Sequence, residues 1–260
     1  MHEKGLREVL CLLSEMNLGV SPPVMAQQIH RTIREITGNG DPFAQEKKMH
    51  NQFTMSLIPE IRERDQNDSD IFAQMLRMSI EGNIIDLGVI DKIKRSLVLE
   101  SIDRSMNIPI DMKAVDELRD ALMETNAILY LGDNAGEIVF DRLFIEQMPY
   151  EKVAYVVRGA PIINDVTIKD AQEVNMYELV DVIDNGSDAP GTILEDCSQE
   201  FQKRFGSSDL IISKGQGNYE TLSNVNKRIF FLLQVKCPVI ARDIGCEIGS
   251  FVVKTKNDSG

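Results

Sequence analysis

From residue 3 to about 124, apolar residues recur three and four positions apart, as in Leu6, Val9, Leu10 and Leu13 or Ile71, Met75 and Met78, which is the spacing of one face of an α-helix. Breaks are predicted at residues 19–23, 38–42 and 107–109, where glycine and proline gather, with Ser21 and Asp41 each preceding a proline as helix starts. After Ala127 the texture changes. Short apolar runs at 127–131, 153–157, 180–183, 210–212, 229–233 and 251–253 read as strands, and the amphipathic stretches 137–148 and 192–205 as crossover helices. This alternation predicts an α/β fold, a mostly parallel sheet with helices on both faces, preceded by an all-helical region. The expected organisation is a helical bundle over 1–115 and an α/β domain over 116–260, with 254–260 as a frayed tail.

Composition narrows the function classes. The 260 residues, 43% of them hydrophobic, can fill a sizeable core. With 28 Lys and Arg against 41 Asp and Glu, the net charge of −13 lacks the basic footprint that nucleic acid or an anionic membrane requires. No apolar run reaches a membrane span, and the first fifteen residues alternate charged and apolar side chains, so a soluble, cytoplasmic protein is expected. Cys11, Cys197, Cys237 and Cys246 form no C-x-x-C pair and are expected to be reduced packing residues. His2, His30 and His50 all lie in the first fifth, so the later half has no imidazole for a Ser-His-Asp triad or a multi-histidine zinc site.

Open α/β sheets bind ligands beyond the carboxyl ends of their strands, so the residues following each apolar run are the ones to inspect. The first run is followed by Gly132-Asp133-Asn134-Ala135-Gly136-Glu137, in which Asp133 and Asn134 suit either a hard cation or a turn and helix cap. The second leads through Arg158 and Gly159 to Asn164 and Asp165, the latter a metal ligand or the cap of a helix from about Thr167. The third is followed by Asn185-Gly186-Ser187-Asp188-Ala189-Pro190-Gly191-Thr192, an anion-wrapping loop or an ordinary turn. The fourth ends in Ser213-Lys214-Gly215-Gln216-Gly217-Asn218.

The opposite strand ends carry plain connections such as Pro149-Tyr150-Glu151-Lys152. Four polar, glycine-rich loops on one edge therefore point to one site. Asp133, Asn134 and Asp165 offer only oxygens, as Mg²⁺ or Mn²⁺ prefers, while Lys214 and the amides of the Ser187 loop suit phosphate. In the helical region Asn83 and Asp86 share a helix face, either as polar caps or as a contribution to the cleft.

At these same residues the chain resembles the metal-dependent damage-control phosphatases, long catalogued as a domain of unknown function. The matching motifs are Gly132 to Glu137, Asn164-Asp165, Gly186 to Thr192, Ser213 to Asn218, Gly82-Asn83-Ile84-Ile85-Asp86 and Gly40-Asp41-Pro42-Phe43. The resemblance covers nearly the whole chain. It implies a helical N-terminal region beside a Rossmann-like domain, a divalent metal held by Asp133, Asn134 and Asp165, and hydrolysis of small phosphorylated metabolites such as sugar phosphates. Relatives of this type usually open with a C-x-x-C segment, which Met1-His2-Glu3-Lys4-Gly5 does not show.

The expected chemistry is phosphomonoester hydrolysis by metal-activated water, with Mg, Mn, Co or Ni as the ion. Asp133, Glu137 and Asp188 are the catalytic candidates, the last two orienting water or substrate hydroxyls. Lys214, Ser187, Gly215, Arg158, Asn83 and Asp86 are the candidates for binding substrate. An aspartyl-phosphate route through Asp133 is disfavoured, because the usual partner acid two residues on is Ala135. Two other classes remain open. A methyltransferase using S-adenosylmethionine would want an acid at the second strand end, where Arg158-Gly159 stands, and a metal-dependent binding module would hold a phosphometabolite without turnover.

Overall fold

The computed structural model describes residues 2–65, 70–82 and 95–256. Among them, the helices before the sheet are α1 (His2–Glu15), α2 (Pro22–Thr37), α3 (Ala44–Asp65), α4 (Ile71–Glu81), α5 (Arg95–Ser105) and α6 (Met112–Glu124). Their ends follow local chemistry. Pro22 and Pro23 occupy the first turn of α2, where a missing N–H costs nothing, and Gly38 closes it at φ 67° with its N–H on the Arg34 carbonyl. Asp70 and Asp111 accept first-turn amides of α4 and α6. The Asp41-Pro42 start is displaced: Asp41 accepts the Phe43 N–H in a turn, and α3 begins at Ala44.

The sheet contains β1 (Ile128–Leu131), β2 (Val153–Val157), β3 (Asp181–Asp184), β4 (Leu210–Lys214), β5 (Ile229–Gln234) and β6 (Phe251–Lys256), in the order β3-β2-β1-β4-β5-β6. All neighbouring pairs are parallel except β5 with β6. The connecting helices are α7 (Glu137–Ile145), α8 (Ile168–Glu173), α9 (Gln199–Ser207), α10 (Gly215–Leu222) and α11 (Pro238–Ile244). Two expectations are corrected here. The stretch from 192 begins with a single 3-10 turn at Leu194–Asp196, and α9 starts only after Ser198, whose hydroxyl accepts the Phe201 N–H. Lys254, Thr255 and Lys256 are not a frayed tail, since they pair with Phe231, Phe230 and Ile229 as an antiparallel edge.

Strand alternation divides the core into two layers. Tyr130, Ile212 and Phe230 face one way, against Leu57 of α3, Leu76 of α4, Leu118 of α6 and Phe144 of α7. Leu131, Ile211 and Phe231 face the other way, against Phe201, Leu222 and Ile240 of α9 to α11. The first layer is continuous from the N-terminal helices to the sheet, and α6 runs straight across the expected 115/116 boundary. Burying each such side chain stabilises by about 1.5–3 kcal/mol, so this shared layer fixes the helices on the sheet. Among the described residues no helix is long and apolar enough to cross a membrane. All four cysteines are free; Cys197 is buried as expected, whereas Cys11 is exposed.

Candidate metal and phosphate site

The strand order reverses at β1, which has β2 on one side and β4 on the other, and open α/β sheets form their crevice at such a point. A cleft of about 190 Å³ lies there, bounded by the turns after β1, β2, β4 and β5. The turn after β2 folds back onto the turn after β1. Val166 N–H donates to the Asp133 carbonyl at 2.9 Å and Ala135 N–H to the Asn164 carbonyl at 2.8 Å, which sets Asn134 opposite Asp165. Ile163 makes this reversal at φ 40°, a conformation that is strained for a β-branched residue. Gly215 completes the seat: at φ 78° it lies so close to Asp133 that a Cβ would overlap the carboxylate.

These turns concentrate negative charge. Asn134 Nδ2 donates to Asp133 Oδ2 at 2.8 Å and to Glu137 Oε2 at 3.1 Å. The amide nitrogen is thereby fixed, and Asn134 Oδ1 receives no hydrogen bond among the described residues. Arg158, whose side chain is 0% exposed, donates from Nε to Asp165 Oδ2 at 2.7 Å and holds Nη2 at 3.8 Å from Asp133 Oδ1. Both its terminal nitrogens lack a hydrogen-bond partner among the described residues.

Behind Glu137, Lys214 Nζ donates to Glu137 Oε1 at 2.5 Å, Asp141 Oδ1 at 2.8 Å and the Ser79 carbonyl at 2.6 Å. The hydroxyls of Tyr130 and Tyr155 donate to the two oxygens of Asp141. Four buried or nearly buried carboxylates, those of Asp133, Glu137, Asp141 and Asp165, thus face two cations.

The electrostatic consequences follow from that imbalance. Burial pushes the Asp133 carboxyl up to about 6, reinforced by Asp165 and opposed by Arg158. Asp165 is likewise pushed up to about 6 by burial, against the pull of Arg158. Glu137 is pushed up to about 7 by burial, although Lys214 opposes the shift. Burial would depress the Lys214 ammonium, but Asp141 and Glu137 hold it above its ordinary value. Among the described residues no three His, Cys, Asp or Glu side chains gather as a metal-binding group. The oxygen set here is two carboxylates and an amide.

Of the expected site residues, Asp133, Asn134, Glu137, Asp165 and Gly215 line the cleft. Four others stand elsewhere in the network. Lys214 donates all three of its N–H groups within the protein, behind Glu137 and away from the cleft lining. Arg158 lies beneath the acids as their counter-charge. Asp188 is held by Arg31, Arg34 and Gln27 of α2, and Ser187 donates to Asp196, which Gln27 and Arg31 also bind. Asn83 and Asp86 fall outside the described residues.

Sequence reasoning missed the α2 clamp, Asp141 and Lys236. Gln27, Arg31 and Arg34 are four and three apart, and Glu137 and Asp141 four apart, so both sets carried a same-face signal. Lys236, in the turn after β5, lines the cleft and had no motif to mark it.

A family model described as the damage-control phosphatase ARMT1-like domain matches residues 1–252. A damage-control phosphatase of Archaeoglobus fulgidus is 36% identical over 239 residues, covering 88% of this chain and 81% of its own. One from Pyrococcus horikoshii is 32% identical over 245 residues, covering 93% and 84%. An uncharacterized protein of Methanocaldococcus jannaschii is 36% identical over 243 residues, covering 89% and 79%. The crystal structure of a DUF89 family protein from Pyrococcus horikoshii superposes with a TM-score of 0.87 at 30% identity, over 97% of this chain and 89% of that one.

Proposed function

The chain belongs to the damage-control phosphatase ARMT1-like family and is an enzyme of the phosphatase class, and from that premise we propose that it hydrolyses phosphomonoesters of small metabolites with a divalent ion at the β1/β4 cleft. The observation that carries the proposal is the charge imbalance. With all four ionised, the carboxylates outnumber the two cations that pair with them by two negative charges, the charge one divalent ion cancels. Asp133, Asn134 and Asp165 would hold the ion, since each has an oxygen that accepts no hydrogen bond among the described residues. Such an ion supplies Lewis acidity, lowering the pKa of water at the site and offsetting charge on the phosphoryl group.

The protein's own groups divide the remaining work. Arg158 holds Asp165 in place and faces Asp133, Gly215 gives the Asp133 carboxylate room, and the Asn134 amide nitrogen is anchored on Glu137. Glu137, pushed up to about 7, suits a group that accepts a proton near neutral pH. Lys214 positions Glu137, and Asp188 fixes its loop against α2. A cleft of about 190 Å³ suits a small phosphorylated metabolite better than the drug-sized ligands that fill roughly 300–1,000 Å³. Free cysteines fit a cytoplasmic setting.

A panel of sugar phosphates and other phosphorylated metabolites, assayed with Mg²⁺, Mn²⁺, Co²⁺ or Ni²⁺, tests the proposal. Phosphate release should require one of these ions, cease with chelator and need no S-adenosylmethionine. Metal-free binding and methyl transfer from S-adenosylmethionine, with no ester cleaved, would overturn it.

A further inference from the structure

The oxygens that would hold the ion come from two turns, Asp133 and Asn134 after β1 and Asp165 after β2, so the spacing of those turns decides whether they can meet on one ion. The tolerance is small, since ligands of an ion such as Mg²⁺ stand at about 2.0–2.1 Å in near-octahedral geometry. Two backbone bonds, from the Val166 and Ala135 N–H groups, set one part of that spacing. A second part is held from outside the sheet, by one side chain of α3.

Asn51 is 1% exposed and spends its whole amide between the two turns. Its Oδ1 accepts the Gly136 N–H at 2.7 Å, and its Nδ2 donates to Asp170 Oδ1 and Glu173 Oε2, both at 3.0 Å. With a donor on one side and two carboxylates on the other, the amide has a single orientation. Gly136 stands between Asn134 and Glu137 at φ 79° and opens α7 without a side-chain cap, so Asn51 holds that turn from another helix. Asp170 belongs to the second turn: its Oδ2 accepts the Thr167 N–H at 2.9 Å and the Thr167 hydroxyl at 2.6 Å, two residues after Asp165. Lys47, one helical turn before Asn51, pairs with the same carboxylate at 3.3 Å.

We propose that Asn51 is a positioning residue of the metal site, setting the separation of the β1 and β2 turns and with it the geometry of Asp133, Asn134 and Asp165. The assignment rests on the metal-dependent phosphatase reading of that site. Asn51 acts through Gly136 and Asp170 and touches neither ion nor substrate. Partners that orient metal ligands matter roughly 10–100-fold in metal affinity or activity, because a ligand held a fraction of an ångström out of place binds poorly.

The test measures Mn²⁺ affinity by calorimetry and p-nitrophenyl phosphate turnover, both on the full chain. Asn51→Asp keeps the acceptor for Gly136 but sets a carboxylate against Asp170 and Glu173, so Mn²⁺ affinity and kcat should each fall about tenfold or more, with KM changed less. Adding Asp170→Asn returns a donor and an acceptor to the pair in reversed order and should bring Mn²⁺ affinity back to within about fivefold of wild type. Leu57→Ala, which opens a cavity in the same helical layer, is the stability control: it should lower Tm yet leave Mn²⁺ affinity within about twofold of wild type. Mn²⁺ binding by Asn51→Asp within about twofold of wild type, a double variant no better than the single one, or Leu57→Ala as impaired as Asn51→Asp would overturn the assignment and leave the metal in place. If the wild type cleaves the ester while taking up no Mn²⁺, the metal is removed; the same loss and recovery in kcat would then uphold Asn51, and its absence would overturn it. A wild type that neither binds Mn²⁺ nor cleaves the ester would overturn both readings.

Discussion

Asp133 and Asp165 share the guanidinium of Arg158, and two carboxylates in one partly dry cleft hold their charge at a cost that grows with pH. Their folded pKa values near 6 lie above the ordinary carboxylate value of about 4, so the metal-free folded state binds more protons than the unfolded chain between those limits. Stability of the metal-free protein should therefore fall as pH rises from about 4 to about 6, and Mn²⁺ should reverse the loss at neutral pH. Asp133→Asn should stabilise the metal-free protein at pH 7 by on the order of 1–3 kcal/mol while abolishing Mn²⁺ binding. Thermal melts with and without Mn²⁺ check both; a destabilised variant that still binds the ion would contradict this account. That Asp133, Asn134 and Asp165 gather at one sheet edge was legible, because turn glycines and polar oxygens follow the strands. The engagement of Lys214 was not, because Asp141 and the Ser79 carbonyl reach it only through the fold.

Between elements, α2 and the loop after β3 are joined by charge. Asp188 receives Arg31, Gln27 and Arg34, and Arg34 also donates to the Pro161 carbonyl at 2.8 Å. Burial works against the Asp188 charge, but the bonds from Arg31 and Gln27 outweigh it and hold the carboxyl below its usual range. That contribution is present above the unfolded value near 4 and is lost as pH falls through the folded pKa. Asp188→Ala leaves Arg34, 18% exposed, without this carboxylate and should cost about 1–3 kcal/mol. Hydrogen exchange should then accelerate at residues 186–192, with Mn²⁺ affinity nearly unchanged; unaltered exchange there would make the clamp incidental. The loop's composition was readable as a polar turn, but its partners on α2 were 154 to 161 residues away in sequence. Ser198 capping α9 late was a local signal, hidden because the apolar spacing of 192–205 also fits one long helix.

At the scale of the whole molecule, the α/β alternation, the parallel sheet and the helical N-terminal region follow from apolar periodicity alone. The expected division at 115/116 did not allow for α6 crossing it or for Leu57, Leu76 and Leu118 entering the same layer as Tyr130 and Phe230. Periodicity shows which face of a helix is apolar but not which surface covers it. One consequence is functional: Ser79 on α4 and Asn51 on α3, the latter accepting the Gly136 N–H at 2.7 Å, tie the helical layer to the turns that carry the acids. The most direct test of the central claim is calorimetric titration of Mn²⁺ into the metal-free full-length protein at pH 7.5, comparing wild type with Asp165→Ala. One ion should bind per wild-type chain and none to the variant, with phosphate-ester cleavage lost in parallel. Equal Mn²⁺ binding by the two proteins, or ester cleavage that persists in Asp165→Ala, would contradict it.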